Sequence, residues 1–121
     1  MNRLRQSFSY AIQGILYSIA REPNMKIHLL AAITAVIMGL IVDLTRLEWA
    51  LLCITIFMVL AAETINTAVE RAIDLFSIKR HPLAKIAKDL AAGGVLLTAI
   101  NAVVIALILF GPYLIDIFKD L

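Results

Sequence analysis

Between Ala62 and Asp74 the chain reads AETINTAVERAID, and Glu63, Asn66 and Glu70 recur in it at i, i+3 and i+7. On a helix these side chains share one face, with Thr67 and Asp74 beside them. The stretch closes an apolar run that begins at Trp49. A carboxylate at hydrocarbon depth costs ~2.5–3.5 kcal/mol on insertion scales, so an acid there faces a protein interior or a water-filled site and points to function. Carboxylate and amide oxygens are hard ligands, the kind that hold Mg2+ together with substrate phosphates. These residue types therefore suggest a metal–nucleotide site. A carboxylate that is left free of metal and lowered into apolar surroundings gains basicity and suits proton abstraction from a lipid alcohol. Glu63, the deepest acid, is the candidate base, and Glu70 and Glu22 are the candidate metal ligands. Lys88, followed by Asp89 at the head of the last apolar run, offers a point charge for a phosphate.

Each residue also has a purely structural reading. Glu70 and Asp74 could pair with basic neighbours such as Arg71 and Lys79, and Asn66 and Asn101 could make helix–helix hydrogen bonds. His28 and His81 have no metal-ligand spacing with each other or with a cysteine. Lys79, Arg80 and Lys85 read as membrane-surface charge. Gly93-Gly94 lies too far into an apolar run to resemble a phosphate loop and reads as a close helix-packing site.

The elements that must position these residues follow from composition and pattern. Of 121 residues 62% are hydrophobic and the mean hydropathy is +0.93, which excludes a soluble globular chain and implies one integral-membrane domain. Cys53 is single, so there is no disulfide framework or Cys-based metal site, and it reads as a small buried hydrophobe. Residues 3–20 set Leu4, Phe8, Ile12, Ile15, Leu16 and Ile19 at helical spacing, an amphipathic helix for the membrane surface rather than a signal peptide. Pro23 ends it and opens a new helix.

The pattern then predicts spans over about 24–42, 49–70 and 90–115, with Arg80-His81-Pro82 as a loop ahead of a short helix holding Leu83, Ile86 and Ala87. Arg3, Arg5, Arg21 and Lys26 precede the first span, and Arg71, Lys79, Arg80, Lys85 and Lys88 lie between the second and third. Only Arg46 and Lys119 lie on the opposite side. The positive-inside rule places the N-terminus and the acidic stripe in the cytoplasm and the C-terminus outside. The fold class is all-α membrane protein: three transmembrane helices after a surface helix.

The segments REPNMKIH, AETINTAVERAIDL and HPLAKIAKDLAAGGVLL together closely resemble the small bacterial integral-membrane lipid kinases, the prokaryotic diacylglycerol kinase and undecaprenol kinase family. The resemblance covers essentially the whole chain, and it is specific because the E-x-x-N-x-x-x-E spacing occurs with K-D at the head of the last span. It implies that Glu63 is the catalytic base for the lipid hydroxyl, that Asn66 is a polar residue of the site, and that Glu70 and Glu22 are ligands of the Mg2+ that accompanies ATP. It further implies that Lys88 and Asp89 meet the nucleotide, with Asp74 near it. A homotrimer in the bacterial cell membrane, with active sites shared between neighbouring subunits, is also implied, and such sharing would explain how Glu22 reaches the stripe. NMKIH and HPLAKIAKDLAAG look more like the undecaprenol kinase branch.

The expected activity is transfer of the γ-phosphoryl of MgATP to undecaprenol, with diacylglycerol as the alternative acceptor and no nucleic-acid partner. Two rivals from other classes stand beside it. A proton-coupled transporter would use Glu63 as its carrier acid, and a scaffold would oligomerise through Gly93, Gly94 and Asn101.

Overall fold

The computed structural model describes residues 2–76 and 80–121. They form four helices: α1 (Asn2–Arg21), α2 (Pro23–Val42), α3 (Arg46–Leu75) and α4 (Pro82–Lys119). The apolar α2, α3 and α4 are each long enough to cross a membrane. Leu40, Ile41, Leu97, Leu107 and many other large apolar side chains on them are exposed, as befits helices whose solvent is lipid.

One residue makes the corner between α1 and α2. Glu22 is extended (φ −103°, ψ 116°) because Pro23 disfavours helical geometry in the residue before it, and Pro23 itself sits in the first turn of α2. The Glu22 N–H still donates to the Ser18 carbonyl at 2.9 Å, so the chain turns without leaving its backbone unpaired. At the other end of α2, Asp43 takes the left-handed conformation (φ 60°, ψ 63°), and the Leu44 N–H closes the turn on the Gly39 carbonyl at 3.2 Å. Gly39 has a steric reason to be glycine. A Cβ there would lie 2.7 Å from Cη2 of Trp49 and 2.9 Å from Cδ1 of Leu44.

A capping box starts α3. Thr45 Oγ1 accepts the Glu48 N–H at 3.3 Å, and Glu48 Oε1 accepts the Thr45 N–H at 3.0 Å. The same Glu48 oxygen accepts the Tyr113 hydroxyl of α4 at 2.6 Å. Around this end Leu44, Leu52, Leu109 and Phe110 form the buried core, with Trp49 and Tyr113 packed on it. α3 and α4 lie along one another, α2 packs on α3, and α1 packs on both α2 and α3. The acidic stripe therefore stands at the far end of α3 from the core, where α1 and the start of α2 meet it.

Two expectations change, and a third finds no partner within the chain. The short helix around Leu83, Ile86 and Ala87 is not separate but forms the first turns of the unbroken 38-residue α4, which His81 caps by accepting the Leu83 N–H on Nδ1 at 3.1 Å. Cys53 is exposed rather than buried, on the wall of an open apolar groove that it shares with Val36 of α2. Gly93 and Gly94 admit no close helix within the chain, since a Cβ at either would meet nothing within 4 Å. Lys79, read as surface charge and as a partner for the acids, lies outside the described residues.

Candidate functional site

Glu63 sits on α3 with 1% of its side chain exposed, and its backbone carbonyl accepts the Thr67 hydroxyl at 3.0 Å. Its Oε2 lies 3.8 Å from Nε2 of His28 on α2 and has no hydrogen-bond partner among the described residues. One helical turn on, Asn66 is 5% exposed; its Nδ2 donates to Glu70 Oε1 at 3.2 Å, while its Oδ1 is buried and likewise unpartnered. A buried oxygen without a partner costs ~1–3 kcal/mol, and native folds retain few of them without a ligand, ion or catalytic reason. Two such oxygens on one helical face mark the place where chemistry is expected.

The rim of this pocket comes from α1 and its corner. Arg71, next to Glu70 on α3, donates through Nη2 to Glu22 Oε1 and through Nε to the Tyr17 hydroxyl at 2.9 Å. Its Nη1 lies 3.9 Å from Glu70 Oε2, and its guanidinium carbon stands 5.7 Å from the centre of the Tyr17 ring. Glu22 thus reaches the stripe inside its own chain, carried there by the one-residue corner before Pro23. A neighbouring subunit is not needed to explain that reach.

The remaining candidates lie elsewhere. Lys88 donates from Nζ to Asp74 Oδ1 at 2.8 Å, which ties the start of α4 to the end of α3. Asp74 is about 16 Å beyond Glu63 along the helix axis, so Lys88 does not share the Glu63 pocket within one chain. Asp89 pairs with Lys85 at 2.6 Å on the exposed side of α4. Glu22, Glu63, Asn66 and Glu70 are therefore gathered on one face, while Asp74 and Lys88 form a second group and Asp89 stands apart. Among the described residues no three His, Cys, Asp or Glu side chains are close enough together to enclose a metal ion.

Two participants escaped the reading of spacing. His28 comes from a different helix, and its only signal was being the one imidazole in an apolar run. Arg71 looked like a neutralising neighbour of Glu70, yet its side chain crosses to α1. Periodicity within α3 carries no information about either contact.

Comparison with known proteins adds an independent line. A model of the prokaryotic diacylglycerol kinase family matches residues 9–110. An undecaprenol kinase from Bacillus subtilis is 40% identical over 114 residues, covering 94% of this chain and 93% of the relative. A diacylglycerol kinase from Synechocystis sp. is 38% identical over 112 residues, or 92% of this chain and 64% of that longer protein. Another from Pseudomonas aeruginosa is 33% identical over 103 residues, 84% of each chain.

Proposed function

The chain belongs to the prokaryotic diacylglycerol kinase family, and we propose that it moves the γ-phosphoryl group of ATP to the hydroxyl of undecaprenol, giving undecaprenyl phosphate. It is a lipid kinase that uses ATP. The observation that carries the mechanism is the buried, unpartnered Oε2 of Glu63. An oxygen kept out of water and without a hydrogen-bond partner is positioned to accept a proton. Glu63 takes the hydroxyl proton of the lipid; the lipid oxygen bonds to the γ-phosphorus as the bond to the β–γ bridging oxygen breaks, and ADP leaves. The proton stays on Glu63 until water removes it.

The residues fit a divalent cation. Glu22 and Glu70 both lie within ion-pair distance of the same guanidinium, and the buried Asn66 Oδ1 lacks a donor. All are hard oxygens, and a set of fewer than three enclosing side chains suits Mg2+, which keeps waters and substrate phosphates among its ligands. Glu22 and Glu70 are the proposed ligands, and the ion they hold would neutralise charge on the phosphates. Lys88 and Asp89 are the proposed nucleotide contacts, with Asp74 holding the Lys88 ammonium in place.

A homotrimer with shared sites draws support from the distance between Lys88 and Glu63 within one chain, since a neighbouring subunit could supply the nucleotide contacts that the Glu63 pocket lacks. Membrane topology follows the basic residues, with α1 on the cytoplasmic surface and the C-terminus outside. An apolar groove of about 440 Å³ between α1, α2 and α3, bordered by Ile15, Met25, Leu60 and Thr64, offers room for an aliphatic chain next to the Glu63 turn. Diacylglycerol is the second acceptor, favoured by the relatives that carry its name. Purified protein supplied with γ-labelled ATP and each lipid in parallel should label undecaprenol more efficiently. Label on diacylglycerol alone would reverse the acceptor, and label on neither would sink the kinase reading for both lipids.

A further inference from the structure

Arg71 is a feature of this region that the proposed reaction leaves without a task. Its guanidinium touches four groups at once: the Glu22 carboxylate, the Tyr17 hydroxyl, the face of the Tyr17 ring and, at 3.9 Å, the Glu70 carboxylate. Two of these are the acids assigned to the metal. Glu22 is largely buried, with 14% of its side chain exposed, and Glu70 is 33% exposed, so two like charges meet in a partly desolvated corner beside a third at Glu63. Without a cation between them they would repel, in a corner whose backbone is held by Pro23 and the Glu22 N–H bond to the Ser18 carbonyl.

We propose that Arg71 is a positioning residue that stands in for the divalent cation, holding Glu22 and Glu70 together until the metal takes its place. The arrangement rests on the metal-site reading above and adds a competition to it. A planar fork suits the task, because it bonds Glu22 and Tyr17 through different nitrogens and so keeps α1 fastened to α3 through Tyr17 while Glu22 changes partner. The cation enters a corner whose charge is already partly offset, and its affinity is lower for that reason. Titratable and charged groups facing the guanidinium are Tyr17 from α1, Glu22 from the corner and Glu70 from α3, with His28 of α2 beside Glu63 behind them.

The test is a nucleotide-free titration of the full chain in detergent micelles with Mn2+, read as loss of the free-ion paramagnetic resonance signal. Arg71→Gln removes the competing charge and should bind Mn2+ about three- to tenfold more tightly than the unaltered chain, while Arg71→Lys keeps the charge and should stay near it. Tyr17→Phe, which keeps the ring but loses the hydroxyl, should shift affinity less than Arg71→Gln. Circular dichroism of each variant establishes that the helices are intact. Equal or weaker binding by Arg71→Gln overturns the proposal. Glu70→Gln separates the two levels of inference: if it binds Mn2+ as the unaltered chain does, the metal site itself has been misassigned, whereas a loss there together with no gain in Arg71→Gln refutes only the role of Arg71.

Discussion

Replacing Glu63 with glutamine separates a catalytic acid from a structural one, because the two roles predict opposite pairs of results. If Glu63 were there to pair with His28, breaking a buried ion pair would cost ~3–5 kcal/mol of stability. The geometry argues for much less. The two groups are 3.8 Å apart, beyond a hydrogen bond, and Oε2 has no other partner. Glutamine is nearly isosteric and removes the charge from a site that is 1% exposed, which offsets the cost of leaving its amide without partners there. Stability should stay within ~1 kcal/mol of the parent or rise. Turnover should fall about 10²- to 10⁴-fold, the usual worth of a positioned general base. The assay is paired: label transfer from ATP to undecaprenol in mixed micelles, and the midpoint of helix loss in increasing dodecyl sulfate. Turnover near that of the parent would refute the base, and a stability loss of about 3 kcal/mol or more would return Glu63 to the role of a structural charge.

Other substitutions probe the surrounding parts. Lys88→Ala should raise the KM for ATP about ten- to a hundredfold, the loss expected for one charge-assisted contact, as initial rates against ATP concentration would show. An unchanged KM would remove Lys88 from the nucleotide site. Gly39→Ala would force a Cβ to 2.7 Å from Trp49 and should cost ~1–3 kcal/mol in dodecyl sulfate unfolding. Its KM for ATP should not move, because that turn is at the opposite end of α3 from the stripe.

The helices were legible where the chain punctuates itself. Pro23 marks the corner, and the single face of Glu63, Asn66 and Glu70 follows from 3.6 residues per turn alone. The start of α4 was legible to within a residue, but its continuity was not: the helix around Leu83 and the span from Leu90 look like two elements until they are seen as one. Contacts between helices were the least visible. Nothing in REPNMKIH says that His28 will face Glu63, or that Arg71 will reach back some fifty positions to Tyr17 and Glu22. The exposure of Cys53 and the empty space over Gly93 and Gly94 show why: with lipid as solvent, an apolar residue gains little by turning inward, so hydrophobicity does not report which face is packed.

The unbroken course of α4 bears on where phosphoryl transfer can take place. At 38 residues it is about 57 Å long, nearly twice the ~30 Å of a hydrocarbon core, and Lys88 rides on its second turn with no hinge between it and the apolar stretch that follows. The elevation of that ammonium above the lipid is therefore not set by a loop. It is inherited from how deeply the whole helix is seated, so with Lys88 at the nucleotide, as proposed, a thicker or thinner bilayer would shift the lysine and the acceptor hydroxyl relative to one another. Membrane thickness would then be a geometric variable of the reaction, as bond lengths are in a soluble active site.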